Sequence, residues 1–270
     1  MTVKQINKAT HITKRLSIQI SLNGFSFCTI NIVTNSIEKI ELANFKVKFT
    51  PEQTLQALTK EFNTNPLLQH SFERIEVIYD NDLYTFVPKS LFDPSHQKEY
   101  LRYSIKTLAT DYITHDTIKQ HELINVYVPY ANINNYIFER FGSFSYYHAT
   151  TLLVKQLLKI EKNNNKTTVF AYLNTTNFHL IAIQNGALQI CNTFIHETPE
   201  DFLYYLMFTS EQLRLNPEEF PLYLLGDIHN KHPYYEIAYT YIRNTQLLNN
   251  SNNDADASTY HKDFIFTNRL

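Results

Sequence analysis

Glycine and tryptophan are the residues in which this sequence is poorest: its 270 residues include four glycines and no tryptophan. Loops that hold phosphate groups depend on glycine, because a residue without a Cβ lets the backbone approach phosphate oxygens closely. The four glycines, Gly24, Gly142, Gly186 and Gly226, are far apart in the chain. A protein with several glycine-rich phosphate loops is therefore not expected.

Cysteine is also scarce, with only Cys28 and Cys191 in the chain. Two distant cysteines make neither a disulfide framework nor a zinc knuckle, which favours a reducing cytoplasm. Both lie in apolar segments that read as strands, so we expect buried, inert thiols. A cysteine nucleophile paired with His179 or His196 stays open as an alternative.

Long apolar runs and an excess of positive charge are missing as well. No run approaches the 18 residues of a membrane-spanning helix, and the start of the chain has no apolar signal segment. The net charge is -2 and the pI about 6.6, without a basic stripe. We expect no membrane insertion, no signal peptide and no nucleic-acid partner.

The chain begins with a polar lead over 1–15. Residues 16–22 then alternate between apolar and polar, which predicts a half-buried strand. Asn23-Gly24 predicts a type I′ hairpin turn, because both residues tolerate positive φ. Further strands are predicted over 25–33 and 37–49. Thr50-Pro51-Glu52 then predicts the start of a helix, with threonine as N-cap and proline in the first turn.

The same order of signals returns later in the chain. Strands are predicted over 168–173, 178–183 and 187–195, with turns at Asn174 and at Asn185-Gly186, and Thr198-Pro199-Glu200 begins another helix. We therefore predict an internal duplication in which 16–88 and 167–228 are equivalent strand-strand-strand-helix-strand units. The predicted domains are a first half over 16–162, a linker over 163–166 and a second half over 167–270. Elsewhere we predict strands over 74–79 and 83–87 with a turn at 80–82 between them, strands over 122–129 and 222–225, and helices over 95–106, 132–141 and 150–161.

Three antiparallel strands, a helix and a further strand, given twice, resemble the core of the actin, sugar-kinase and Hsp70 superfamily. The segment 170–228 is similar to type IV pilus assembly ATPases and to the cell-division actin homologue. The whole chain resembles DUF3822, a family of Bacteroidetes proteins. The stretches that carry this resemblance are 16–27, 199–205, 213–219 and 222–228. It implies an α/β fold of duplicated RNase H-like units, each a mixed sheet with a three-strand antiparallel meander plus helices.

The resemblance also implies where a nucleotide would bind, namely at hairpin loops in which an aspartate organises Mg²⁺ and glycine admits phosphate. Neither 16–37 nor 167–196 contains an aspartate or glutamate. The corresponding positions form a set of degenerate cleft loops: Asn23, Gly24, Asn174, Thr175, Thr176, Gly226 and Asp227. We expect no catalytic residue, no metal and no cofactor, ATP included. An active phosphotransferase would need an aspartate from outside the hairpin windows 16–37 and 167–196, and Asp80 and Asp227 are the candidates.

Two other groups of residues invite a functional interpretation. His229 and His232 are separated by two residues, and a metal site there would need Asp227 and another ligand; a pair of surface histidines before Pro233 is the favoured interpretation. The numerous tyrosines could form an interaction surface or belong to the core. They include Tyr146, Tyr147, Tyr172, Tyr204, Tyr205, Tyr234, Tyr235, Tyr239 and Tyr241.

The function that these observations favour is a non-catalytic actin-like scaffold or protein-interaction module, which would bind a protein partner of unknown identity. The alternative is a protein that binds a nucleotide or a phosphorylated small molecule in the inter-domain cleft without fast hydrolysis. The two hypotheses differ in whether the degenerate loops still hold a phosphate.

Overall fold

The computed structural model describes residues 14–226, 228–248 and 265 of the chain. Its strands are β1 Lys14–Ser21, β2 Gly24–Asn31, β3 Ser36–Asn44, β4 Arg74–Tyr79, β5 Tyr84–Pro88, β6 Thr114–Ile118, β7 Leu123–Tyr127, β8 Ser145–His148, β9 Thr167–Leu173, β10 Asn177–Gln184, β11 Ala187–Ile195, β12 Pro221–Gly226 and β13 Asn244–Leu247. Its α-helices are α1 Pro51–Thr64, α2 Gln97–Leu101, α3 Ala131–Phe141, α4 Ala149–Ile160, α5 Pro199–Gln212 and α6 Pro233–Tyr241.

Two sheets of five strands share one topology. Their strand orders are β3-β2-β1-β4-β8 and β11-β10-β9-β12-β13, and a third sheet has the order β5-β7-β6. In each large sheet the first three strands form an antiparallel meander. In the second sheet β12 pairs in parallel with β9 and with β13, which makes that sheet mixed. The predicted strand-strand-strand-helix-strand order is thus found in both segments.

The irregularities of the two meanders match as well. The pairing of β2 with β3 shifts between Thr29 and Ile30, which leaves Glu38 as an extra residue. The pairing of β10 with β11 shifts between Ala182 and Ile183, which leaves Gln189 as an extra residue. Both bulges lie in the third strand of the meander, opposite the sixth and seventh residues of the second strand. Equivalent bulges in equivalent strands support the predicted duplication.

The chain divides into two compact units that interleave along the sequence. Of the described residues, 14–78 and 132–146 belong to the first unit, while 79–131 and those from 147 onward belong to the second. The three-stranded sheet therefore lies in the same unit as the C-terminal sheet. These units group residues by packing, and the predicted division into halves at 163–166 stays a prediction.

In the first unit, the apolar positions of β1 and β2 pack against helices. Leu16, Ile18 and Ile20 alternate along β1 and are fully buried, as the period of two predicts, but Ser17 on the other face is fully buried too, so β1 is more buried than the predicted half-buried strand. Phe62 at the end of α1 contacts Phe27 edge-on at 5.7 Å between ring centroids. The Arg140 guanidinium of α3 lies 5.0 Å from the same ring, a cation–π contact that covers this edge of the core.

In the second unit, two apolar clusters form. The larger cluster lies between the β9-β10-β12 sheet and the helices α5 and α6, with Phe178, Phe202 and Leu224 fully buried at its centre. The smaller cluster gathers residues of β5, β7 and α2 around Leu101 and Val126. The three-stranded sheet thus has a core of its own within the unit.

The two predicted helix starts at the threonines are confirmed. Thr50 accepts a hydrogen bond from the Gln53 N–H, and the Gln53 side chain accepts one from the Thr50 N–H. Thr198 and Asp201 form the same reciprocal pair at the start of α5. A capping box of this kind satisfies two N–H groups that the helix leaves without partners.

One predicted turn is right and another is wrong. Asn185 and Gly186 have φ of 52° and 69° and connect the paired residues Gln184 and Ala187, as a type I′ turn requires. At the first hairpin, the two-residue loop is Leu22-Asn23, and Asn23 is not among the described residues with positive φ. Gly24 is instead the first residue of β2.

Several elements differ from the sequence prediction. The helix predicted over 95–106 is only the short α2, preceded by a 3₁₀ turn at Pro94–His96. The short strands β6, β8 and β13 and the helix α6 were not predicted. Within the described residues, no helix is both long and apolar enough to cross a membrane.

Candidate functional site

The degenerate loop residues of the first unit, Asn23 and Gly24, make close contacts with neighbouring backbone and side-chain atoms. The Asn23 N–H donates to the Ser21 Oγ at 3.2 Å, and the Asn23 carbonyl accepts from the Phe45 N–H at 2.8 Å. A Cβ added to Gly24 would overlap the Ala43 carbonyl oxygen on the neighbouring strand. Glycine is thus required there because β3 comes close.

The degenerate loop residues of the second unit lie together at one end of the sheet. Gly226 pairs with Leu173, the residue before Asn174, and has φ of 97°. A Cβ on Gly226 would overlap the Leu173 backbone, so glycine is required by this close approach. Thr175 and Thr176 are exposed in the loop between β9 and β10. Asp227 lies outside the described residues.

The loop at Asn174 is held by neighbours on several elements. The Asn174 N–H donates to the Asn177 carbonyl at 2.9 Å, and the Asn174 carbonyl lies 3.2 Å from Nε2 of His196. The other ring nitrogen of His196 is 2.8 Å from the Tyr234 hydroxyl. The His196 N–H donates to the Thr176 carbonyl at 3.2 Å. The loop is therefore shaped by β11 and α6.

A carboxylate from outside the loops does reach this hairpin. Asp80 follows β4 directly, and its Oδ2 accepts a hydrogen bond from the Asn174 amide at 3.3 Å. Its Oδ1 lies 3.0 Å from Nε2 of His179 on β10. The Asp80 residue is 5% exposed and His179 is 0% exposed. This aspartate was one of two candidates from the sequence, and the structure brings it to Asn174.

Beyond His179 the polar contacts continue across β11. Nδ1 of His179 is 2.8 Å from the Thr193 hydroxyl, which lies 3.0 Å from the Tyr84 hydroxyl of β5. The Tyr84 hydroxyl is also 3.5 Å from Sγ of Cys191. We call these six residues the Asp80 network: Asp80, Tyr84, Asn174, His179, Cys191 and Thr193. The network connects the three-stranded sheet to the C-terminal sheet within one unit.

The chemistry available to the Asp80 network is limited by burial. A carboxylate, an imidazole and a hydroxyl in sequence are the partners of an acyl-transfer triad. Here the imidazole has no exposed surface, and the Thr193 hydroxyl is already in contact with Tyr84. Burial raises the pKa of the Cys191 thiol to about 12, so it stays protonated at neutral pH. The arrangement is that of a packed polar network.

A second buried polar group lies beside the first. Asp116 of β6 accepts hydrogen bonds from the His148 N–H at 2.8 Å, from the Thr151 hydroxyl at 2.7 Å and from the Tyr127 hydroxyl at 3.2 Å. Burial nevertheless raises the pKa of this carboxyl to about 6. We call these four residues the Asp116 network. It anchors the N-terminus of α4 to the three-stranded sheet.

His148, a neutral ring, joins the Asp116 network to Asn81, the residue that follows Asp80. The Thr150 N–H donates to Nδ1 at 3.2 Å, so the neutral ring carries its proton on Nε2, which lies 3.3 Å from the Asn81 Oδ1. Burial lowers the pKa of His148 to about 3. The side chain thereby caps α4 and contacts the turn that follows Asp80. The predicted turn at 80–82 is thus a polar junction in which Asp80 and Asn81 are buried and Asp82 is exposed.

The other candidates from the sequence are the pair His229 and His232 and the tyrosines. The rings of His229 and His232 are 5.4 Å apart between centroids. In the part of the chain that the structure describes, no group of three or more His, Cys, Asp or Glu residues is placed to hold a metal ion. Tyr172 is buried, and Tyr205, Tyr234 and Tyr235 pack against the core cluster. Tyr204, Tyr239 and Tyr241 are exposed, and Tyr146 and Tyr147 are partly exposed.

Two mixed sheets, each built on a three-strand meander followed by a helix and a strand, define the actin-like ATPase fold. A crystal structure from Bacteroides thetaiotaomicron VPI-5482, described as a protein with actin-like ATPase fold and unknown function, is similar at a TM-score of 0.80 and 19% identity. The alignment covers 92% of this chain and 96% of that one. The PilM-PilN type IV pilus biogenesis complex is similar at a TM-score of 0.59 and 10% identity, covering 93% and 95%.

The family follows from the sequence itself. The model of the family described as protein of unknown function (DUF3822) matches residues 4–245, and the chain belongs to that family. No curated protein matches the chain. The structural similarities at these identities establish the fold, and fold alone does not define a function.

Proposed function

We propose that this protein is a non-catalytic actin-like scaffold or interaction module that works by binding another protein. The observation that supports the proposal is the lack of an accessible carboxylate at the two hairpins. The first contains no carboxylate, and the carboxylate that reaches the second, Asp80, contacts His179 and Asn174 inside the core. Mg²⁺ needs carboxylate oxygens together with water and phosphate, and a 5% exposed Asp80 offers little room for them.

A protein complex among the similar structures agrees with this proposal. The PilM-PilN structure is by its description a complex of type IV pilus biogenesis. At 10% identity it serves only as an example of an actin-like fold in a complex. For the present chain, Tyr239 and Tyr241 on α6 are among the exposed tyrosines that a partner could contact, whereas Tyr234 and Tyr235 pack against the core.

The proposal is tested by measuring ATP hydrolysis and nucleotide binding with the purified protein and Mg²⁺. We expect no turnover above that of a blank and no thermal shift, whereas a ligand at a hundred times its dissociation constant would add about 2.7 kcal/mol of stability. Turnover that is lost in an Asp80→Asn variant with an unchanged fold would contradict the proposal. An Asp82→Asn variant, at an exposed neighbour, is the matched control.

The partner itself can be sought by affinity capture with Tyr239→Ala and Tyr241→Ala as matched variants. A specific partner should be captured by the natural sequence and lost with at least one of the two. Capture that both variants leave unchanged would exclude this part of α6 as the binding surface, and the surface would have to be sought elsewhere.

A second candidate function is binding of a nucleotide or phosphorylated small molecule without fast hydrolysis. The observation that favours it is that Gly226 and the exposed hydroxyls of Thr175 and Thr176 follow two paired strands at the same end of the sheet. A thermal shift with nucleotide that disappears in a Thr175→Val, Thr176→Val double variant would support it. Absence of any shift with nucleotide or inorganic phosphate would exclude it.

A further inference from the structure

The strand β11 has an open edge of unusual composition. Among the described residues its hydrogen-bonded neighbour is β10 alone, so it ends the sheet. Its nine residues, ALQICNTFI, include no charged residue and no proline. Natural proteins place charges or proline on edge strands because a bare edge recruits further strands. The equivalent edge strand β3 has such charges, namely Glu38, Lys39 and Glu41.

Apolar side chains extend this edge on the side of α5. Phe194 of β11 stacks on Tyr205 at 4.6 Å between centroids, and Tyr204 stacks on Phe208 at 6.1 Å. Ile195 and Tyr204 are 61% and 62% exposed. Exposed apolar side chains next to an open sheet edge are a combination typical of an interface.

The two ends of β11 carry opposite charges. At its start, Gly186 lies against the Lys162 carbonyl oxygen, and the side chains of Lys162 and Lys166 are exposed. Directly after its end come Glu197 and Glu200, both exposed. When two such strands pair antiparallel, the acidic end of each meets the basic end of the other. The edge is therefore complementary in charge to a second copy of itself.

We propose that two copies of this chain form a homodimer in which their β11 edges pair antiparallel about a two-fold axis. The regular stretch beyond the bulge at Gln189, residues 190–194, pairs with itself in this arrangement. Asn192 of one subunit then lies opposite Asn192 of its partner at the centre of the interface, because directly opposite residues of an antiparallel pair share one face of the sheet. The same patch serves both subunits, as a closed two-fold contact requires. This dimer goes beyond the proposed function and does not depend on it.

The dimer is tested by charge reversal, with the mass in solution measured by light scattering and sedimentation across micromolar concentrations. Lys162→Glu and Glu197→Lys each place like charges at both ends of the interface, and each should raise the dissociation constant by about tenfold at low salt. An equimolar mixture of the two variants should form heterodimers, because each acidic end again meets a basic end. Recovery of dimer formation in the mixture would show that the two substitutions act across the interface, because a folding defect within either variant would remain in the mixture.

A second variant tests the strand edge itself. Asn192→Lys introduces the charge that natural edge strands carry, and the dimer should be lost. Leu42→Lys on β3, at a residue that is 62% exposed, is the matched control and should leave the dimer unchanged. Circular dichroism reports whether each variant folds. A natural protein that is monomeric at all concentrations, or a dimer that both Asn192→Lys and charge reversal leave intact, would overturn the proposal.

Discussion

The two five-stranded sheets have the same backbone plan, yet corresponding positions are used in different ways. Counted from the matching bulges, Ser26 on β2 corresponds to His179 on β10, and their strand partners are Leu42 and Thr193. Leu42 is 62% exposed, whereas the Thr193 hydroxyl bonds to His179 and Tyr84. The duplicated backbone was kept, while a polar network was built only where the three-stranded sheet packs in the same unit.

The largest expected effect follows from breaking the Asp80 network. His179→Leu leaves the Asp80 carboxylate buried with one partner fewer, and we expect it to lower the free energy of unfolding by about 3–5 kcal/mol. Ser26→Ala at the corresponding position of the first sheet should cost under about 1 kcal/mol. Urea unfolding of both variants makes the measurement. Equal losses would show that the network adds nothing specific to the second unit.

The glycines of the two sheets should differ in how much stability an alanine substitution removes. Gly226→Ala combines φ of 97° with overlap of the Leu173 backbone, so a loss of about 3 kcal/mol or more is expected. Gly24→Ala meets the Ala43 carbonyl in a more extended conformation and should cost somewhat less. Gly142→Ala, with φ of 75° and open space around it, should cost about 1 kcal/mol. Any other order in thermal or urea unfolding would contradict these packing assignments.

The dependence of stability on pH should separate His148 from Asp116. The pKa of His148 falls from 6.5 to about 3 on folding, so its contribution is complete above pH 6.5 and is lost as pH falls towards 3. The pKa of Asp116 rises from 3.8 to about 6, so its contribution is complete below pH 3.8 and is lost as pH rises through 6. Between about pH 4 and 6 the two trends oppose each other, each at up to about 1.4 kcal/mol per pH unit.

Single variants reveal each trend in turn. Relative to the natural sequence, His148→Asn, which keeps a capping side chain, should gain stability as pH falls from 6 to 4. Asp116→Asn should lose relative stability over the same window. Urea unfolding at several pH values makes the measurement. Parallel profiles for all three proteins would show that neither group is held in its buried protonation state.

The smallest expected effects concern the helix caps. Thr50→Ala and Thr198→Ala each remove a capping box, and each should cost about 1 kcal/mol at neutral pH. Hydrogen bonds from the Glu197 and Thr198 N–H groups lower the pKa of Asp201, whose contribution is lost as pH falls through that lowered value. Gln53 does not titrate in the corresponding place. Acid should therefore weaken the α5 cap and leave the α1 cap unchanged, which hydrogen exchange at the two helix starts can measure.

The sequence predicted the meanders and their following helices because those elements obey local rules. Alternation along β1, the Asn185-Gly186 turn and the two threonine caps all depend on neighbouring residues. The short strands β6 and β8 escaped prediction because their sequences, THDTI and SYYH, contain few apolar residues, whereas the equally short β5 and β7 are mostly apolar or aromatic. The turn at 80–82 was assigned correctly as a turn, but its burial depends on His179 and Asn174, nearly a hundred residues away.

The candidate site likewise has features that the sequence predicted and features that it did not. That both hairpins lack carboxylates could be read directly from the composition of 16–37 and 167–196. The sequence does not show that Asp80 contacts Asn174 or that the Ala43 carbonyl leaves no room for a Cβ at Gly24. Both depend on strand pairing and on packing between distant segments. From the sequence, Asp80 could be proposed as a candidate catalytic aspartate, but its partners His179 and Asn174 could not be predicted.

The interleaving of the compact units has a consequence for synthesis on the ribosome. The first unit needs residues up to 146, and the second begins at residue 79 but needs its sheet from 167 onward. When the chain has emerged only as far as the 163–166 segment, Asp80 is present and His179 and Asn174 are not yet made. The Asp80 carboxylate cannot form its contacts with His179 and Asn174 until those residues are made, so these contacts form late in translation. A fragment that begins at 167 would contain the imidazole but never the carboxylate.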